Sequence, residues 1–224
     1  MSKKVVKASE NYYKMKRILF YLIGLIAIIP SEIRSSTTYK TNMENIEAGS
    51  KIAVFAGGCF WCTEAIFNQL KGVQKVVSGY SGGKVANPTY AEVCTGSTGH
   101  AECLQITFNP EQITFKELLE VFWMTHDPTT LNRQGADSGT QYRSAIFYTD
   151  EDQKQVAIAY KSKLDKEKIW NNPIVTEITK LEKFYPAENY HQEYYQSNPN
   201  QGYCRIVITP KIEKFKKIFA DKLK

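Results

Sequence analysis

Residues 51–70 read KIAVFAGGCFWCTEAIFNQL: an apolar run from Ile52 to Phe55 breaks at Gly57-Gly58 and gives way to Phe60, Ala65, Ile66 and Phe67 at helical spacing. A short continuous apolar run marks a buried strand, and paired glycines mark a tight turn. Apolar residues at a 3.6-residue period mark a helix. The stretch therefore predicts a strand over 52–55, a turn, and a helix over 59–70 whose first residue is a cysteine. Outward from it the same reading gives strands over 73–78, 101–108, 144–148 and 174–178. Helices are predicted after Asn87-Pro88, over 118–123 behind a Thr114/Glu117 capping box, over 150–163, and over the Lys-rich 212–223. Asp127-Pro128 ends the third of these helices, counted from residue 59. Strands and helices alternate irregularly and nothing repeats, which places the chain in the α+β class as a two-layer α/β sandwich.

A chain of 224 residues with 42% hydrophobic content can bury one ordinary core, so one catalytic-sized domain over 49–224 is expected. The formal charge of +6 is concentrated at one end: residues 1–34 carry seven Lys/Arg against two Asp/Glu. The remainder is close to neutral, which argues against a nucleic-acid footprint. Residues 1–48 instead have the build of a signal or anchor followed by a linker. Lys3 through Arg17 supply a basic region, residues 18–29 an apolar run, and Pro30 a stop. Twelve apolar residues are short for a span, which takes about 20. Export from the cytosol is expected, and an uncleaved anchor would leave the domain on the same side.

Five cysteines leave at least one thiol unpaired. Cys59, at a helix start, would gain from unpaired backbone N–H groups and the positive end of the helix dipole. Gly57-Gly58 permits close approach to the backbone, and Phe60-Trp61 can form an apolar wall. Cys62, three residues on, lies on the same helical face within bridging reach. The same spacing could supply half a zinc site, but no second pair of ligands follows it, and no metal or other cofactor is expected.

On the strand over 101–108, alternation puts Glu102 on the face of Leu104, Ile106 and Phe108. A desolvated carboxyl there would keep its proton and serve as a general acid; the alternative is that Glu102 reaches solvent or a lysine. The polar stretch TTLNRQGADSGTQY over 129–142 is long for an idle connection and carries Asp137 and Tyr142, while Tyr90 lies in the earlier loop region. Phenol hydroxyls are good uncharged donors to a polar oxygen. His100, His126 and His191 read as structural, and Cys94 and Cys103 as small core residues. Cys204, in a Gly-containing polar stretch, reads as a mobile thiol.

Five strings in order, Gly57-Gly58-Cys59-Phe60-Trp61-Cys62, Gly79-Tyr80-Ser81-Gly82-Gly83, Asn87-Pro88-Thr89-Tyr90, Thr98-Gly99-His100-Ala101-Glu102 and Gly139-Thr140-Gln141-Tyr142-Arg143-Ser144, resemble the A-type peptide methionine sulfoxide reductases. The resemblance runs from Lys51 to the C-terminus and implies a ferredoxin-like plait core with extensive coil. It implies that Cys59 attacks the sulfoxide sulfur of the S epimer and that Glu102 protonates its oxygen, assisted by Tyr90 and Tyr142. Phe60 and Trp61 would house the substrate methyl group and Asp137 would orient substrate. A second thiol must then resolve the Cys59 sulfenic acid, Cys204 being preferred and Cys62 next. The implied partners are oxidised proteins and thioredoxin or another dithiol, with a monomer as the default. A thioredoxin-like disulfide oxidoreductase also uses Cys-x-x-Cys at a helix start, but it has little use for Glu102.

Overall fold

The computed structural model describes residues 49–224, and the signal or anchor segment read over 1–48 lies outside them. Six strands form one sheet in the order β7-β6-β1-β3-β2-β8: β1 (Lys51–Gly57), β2 (Val73–Ser81), β3 (Ala101–Phe108), β6 (Ser144–Tyr148), β7 (Glu177–Lys180) and β8 (Phe184–Pro186). A separate two-strand ribbon, β4 (Arg133–Gln134) with β5 (Asp137–Ser138), is built from the polar loop. β1 lies antiparallel between β3 and β6, and β3 antiparallel to β2. The inner four strands, with helices after the first and third, make the expected ferredoxin-like plait.

The main helices are α1 (Phe60–Phe67), α2 (Tyr90–Cys94), α3 (Phe115–Thr125), α4 (Glu151–Lys166), the short α5 (Tyr194–Ser197) and α6 (Thr209–Ile218). They cover one face of the sheet, where Phe55, Leu104, Ile106 and Ile146 meet Phe67, Phe122, Tyr160 and Phe215. The opposite face buries a smaller set, Val54, Ala56, Cys103, Ala145 and Phe147, under Leu181 and Phe184. The predicted capping box starts α3, with Thr114 Oγ1 accepting from Glu117 N–H, and an equivalent Thr89/Glu92 box starts α2.

The elements differ from the sequence reading mainly where tertiary pairing overrides local pattern. α1 ends at Phe67 rather than residue 70, because Leu70 leaves the helix to bridge Leu223. β2 continues to Ser81, past Gly79, because β8 pairs along Gly79–Ser81. The strand expected over 174–178 forms instead at Glu177–Lys180; Val175 N–H is drawn off to Pro128 O. α6 opens at Thr209 with Pro210 in its first turn and closes at Ile218, short of residue 223. Cys94 is exposed rather than a core residue: α2 is a single short helix that turns only Val93 inward. Cys103 is buried as expected.

Candidate active site

Two neighbouring strands bring the site together. β1 ends at Gly57 where β3 begins, so a residue just after β1 and one at the start of β3 meet at the same end of the sheet. Between β1 and α1, Gly58 adopts φ +87, in the region where L side chains are disfavoured. A Cβ there would lie 2.6 Å from Cβ and Cγ of Gln134. Gln134 in turn clamps Asp127, accepting from its N–H at 3.0 Å and donating to its carbonyl at 3.1 Å. Gly58→Ala is therefore expected to cost about 2 kcal/mol or more, combining left-handed strain with displacement of Gln134. A thermal melt should show a fall of roughly 4–8 °C.

Cys59 follows as the N-cap of α1, buried but facing a cavity of about 60 Å³. That cavity is lined by Cys59, Phe60, Trp61, Tyr90, Glu102, Asp137, Tyr142 and Tyr203. The first seven are the nucleophile, acid, phenol and substrate-contact positions read from the sequence. A larger hollow of about 460 Å³ on the far face of the sheet, lined by Gly83, His100, Glu177 and Lys183 among others, has no thiol in its wall.

Glu102 is 1% exposed, on the helix-covered face with Leu104 and Ile106, rather than reaching solvent or a lysine. Its Oε2 accepts from the backbone N–H of Phe60 at 3.0 Å. Burial pushes the carboxyl up to about 8, the Phe60 N–H pulls it down, and the Asp137 and Cys62 charges push it up further. Glu102 therefore stays protonated through neutral pH with one oxygen committed to the backbone. Tyr90 and Tyr142, reached from α2 and from the 3₁₀ turn Thr140–Tyr142, have hydroxyls held far above their usual range, chiefly by burial. Tyr90 is fixed by its N–H, which donates to Glu188 Oε1 at 2.8 Å.

The aromatic wall is anchored from behind. Trp61 stacks on Tyr194 with ring centroids 3.7 Å apart at 9°, and its Nε1 donates to His191 Nδ1 at 3.2 Å. Glu64, buried one turn along α1, accepts from the backbone around Glu193 and Tyr194 and so holds that turn against Trp61. Phe60 and Tyr90 also pack on the His191 ring. His191, read as structural, is thus the second layer of this wall.

Tyr203 was the residue missed. Its hydroxyl donates to Asp137 Oδ2 at 2.8 Å and lies 3.8 Å from Cys62 Sγ, tying the polar loop to α1. The string Gly202-Tyr203-Cys204 carries the phenol beside the thiol, one tyrosine among 14 in the chain. Cys204 itself is 0% exposed, at the start of a π-helical turn (Cys204–Ile208), so the expectation of a mobile thiol does not hold in this state. Cys62 is the thiol at hand: its backbone N–H donates to Cys59 O at 3.1 Å at the start of the same helix, and the ionisation of each thiol depends on the other. The shared proton rests on Cys59, pushed up by the neighbouring Cys62 thiol and by burial, while Cys62 is held down to about 7 chiefly by Cys59.

Together these groups set a sulfur nucleophile beside a protonated acid, two neutral phenols and an apolar wall. The arrangement suits a small apolar group carrying a polar oxygen on an electrophilic atom.

Comparison with known proteins gives a consistent result. A family model described as peptide methionine sulfoxide reductase matches residues 51–223. The peptide methionine sulfoxide reductase MsrA of Deinococcus radiodurans is 53% identical over 192 residues, covering 85% of this chain and 93% of that protein. MsrA 1 of Rhodopirellula baltica is 54% identical over 176 residues, covering 79% and 91%. Among solved structures, reduced Mxr1 from Saccharomyces cerevisiae aligns with a TM-score of 0.66 at 36% identity, over 72% of this chain and 92% of that one. Methionine sulfoxide reductase A of Corynebacterium diphtheriae aligns with a TM-score of 0.62 at 36% identity, over 68% and 77%.

Proposed function

The chain belongs to the peptide methionine sulfoxide reductase family, as a thiol-dependent peptide-methionine (S)-S-oxide reductase that repairs oxidised proteins, and on that premise we propose how its residues divide the reaction. The observation that carries the assignment is the buried Glu102 carboxyl, protonated at neutral pH and fixed by Phe60 N–H beside Cys59. The sulfoxide oxygen enters among Glu102, Tyr90 and Tyr142, with the methyl group against Phe60 and Trp61. Asp137, oriented by Tyr203, positions the substrate. Glu102 gives its proton to the oxygen, and the sulfur becomes electrophilic. Cys59 Sγ bonds to that sulfur as its own proton passes to Cys62. The hydroxyl then passes from the substrate sulfur to Cys59 Sγ as the bond between the two sulfurs breaks, releasing methionine and leaving Cys59 as a sulfenic acid.

Cys62 then attacks Cys59 Sγ, closing a disulfide as the hydroxyl departs with the Cys62 proton as water. The placement of Cys62 one turn from Cys59, and the full burial of Cys204, support Cys62 over Cys204 for this step. An external dithiol of the thioredoxin class reopens the bridge by exchange. The basic and apolar segment over 1–48 supports a workplace outside the cytosol, and a monomer is the default for the folded unit.

One experiment tests the division of labour. Reduced protein is given one equivalent of a peptide carrying a single sulfoxide epimer, without reductant, and the products are mapped. One methionine per chain from the S epimer only, with a Cys59–Cys62 bridge, is the expected outcome. A Cys59–Cys204 bridge would return the resolving role to Cys204. Reduction of insulin disulfides with neither epimer consumed would defeat the whole reading.

A further inference from the structure

A cation stands against the second thiol. Lys211, in the first turn of α6, places Nζ 3.6 Å from Cys62 Sγ. Cys62 is 2% exposed, so water contributes little to stabilising a charge on it. The charged or titratable groups facing Cys62 are Cys59, Lys211, Tyr203, Asp137, Glu102 and Cys204. Of these Asp137 opposes a thiolate, Cys59 and Tyr203 offer neutral donors, and Lys211 brings a full positive charge. Lys211 does not line the cavity that Cys59 faces, so any part it plays in the reaction runs through the charge on Cys62.

We propose that Lys211 is the charge partner that ionises the Cys59–Cys62 pair, keeping Cys62 as the proton acceptor for Cys59 and then as the attacking thiolate. This rests on the assignment of Cys62 as resolving thiol. The electron balance is internal: the S–O bond of the sulfenic acid breaks as the S–S bond forms, Cys59 sulfur being reduced and Cys62 sulfur oxidised. Cys62, protonated in the first step, ionises before it attacks, and the proton it releases combines with the departing hydroxide as water. Lys211 gives up no proton and forms no bond; it lowers the cost of negative charge on sulfur before each step. The direction of the Cys62 thiol agrees, since Lys211 is among the groups that hold it low.

The test uses the full chain as Lys211→Met, which keeps the aliphatic stem, and Lys211→Arg, which keeps the charge. Thiolate absorbance of the reduced, substrate-free protein is titrated with pH, and single-turnover disulfide closure is followed with a sulfenic-acid trap present. Lys211→Met should move the first thiol ionisation up by about one pH unit. It should also slow closure at pH 7 about tenfold, with trapped Cys59 accumulating, while Lys211→Arg restores both. An unchanged thiol titration in Lys211→Met overturns the proposal. A Cys62→Ser chain closing a Cys59–Cys204 bridge at the wild-type rate would overturn the resolving assignment beneath it, so the two failures are distinct.

Discussion

Glu102→Gln is expected to lower methionine formation in a single turnover by about 100- to 10,000-fold while making the protein more stable. Gln keeps an acceptor for Phe60 N–H and the shape of the side chain, so the backbone contact survives. What it loses is the transferable proton. The stability gain follows from burial: the folded carboxyl ionises near 8 against an ordinary value of 4.5. A carboxyl raised in this way contributes its full stability below about pH 4.5 and loses it as pH rises to about 8. Gln has nothing to ionise, so its advantage should grow across that window, by at most about 1.4 kcal/mol per pH unit, and level off above it. Denaturant melts at pH 4, 7 and 9 check the trend. The wild-type single-turnover rate should fall as pH rises through about 8, and a rate flat to pH 10 would remove Glu102 from the acid role.

The second large effect is at the nucleophile. Cys59→Ser should reduce turnover on the order of 10,000-fold or more, with no compensation from Cys62. Cys62 is the more ionised thiol of the pair, which on reactivity alone would make it the better nucleophile. Position decides against it: Cys59 is in the cavity wall with Glu102, Tyr90 and Tyr142, and Cys62 is not. The Ser variant should still bind substrate, and quenching of Trp61 fluorescence by an S-sulfoxide peptide would report it. Substantial residual turnover in this variant would mean that Cys62 can reach the sulfoxide.

The core of the plait was legible because it depends on local signals. The apolar run over 52–55, the Gly57-Gly58 break and the alternation around Glu102 each give one element and its face. Glu102 alone shows both the power and the limit of such reading. Alternation placed it on the apolar face, but only the packing of α1 over β3, with Phe60 N–H turned toward it, separates a buried acid from a residue that reaches solvent. What was not legible depends on contacts far apart in the chain. Trp61 meets His191 across 130 residues, Tyr203 meets Asp137 across 66, and Lys211 meets Cys62 across 149. None of these leaves a periodic trace. β8 escaped for another reason: three residues that include Pro186 carry too little pattern to announce a strand.

The Phe60 N–H bond to Glu102 has a stereochemical consequence. By occupying Oε2 it leaves Oε1 as the oxygen that carries the proton, so the donor has one direction as well as one location. A sulfoxide sulfur is a pyramidal centre with an oxygen, a methyl group, a longer chain and a lone pair. The seating proposed above puts the oxygen toward Oε1, the methyl toward the Phe60 and Trp61 rings, and the attacking sulfur at Cys59. Three points held by one rigid strand-and-helix junction determine handedness. The mirror-image centre, with its oxygen and methyl seated the same way, would exchange the places of its longer chain and its lone pair. On this seating, discrimination between the two configurations at sulfur begins with the placement of Glu102 on β3 against the start of α1.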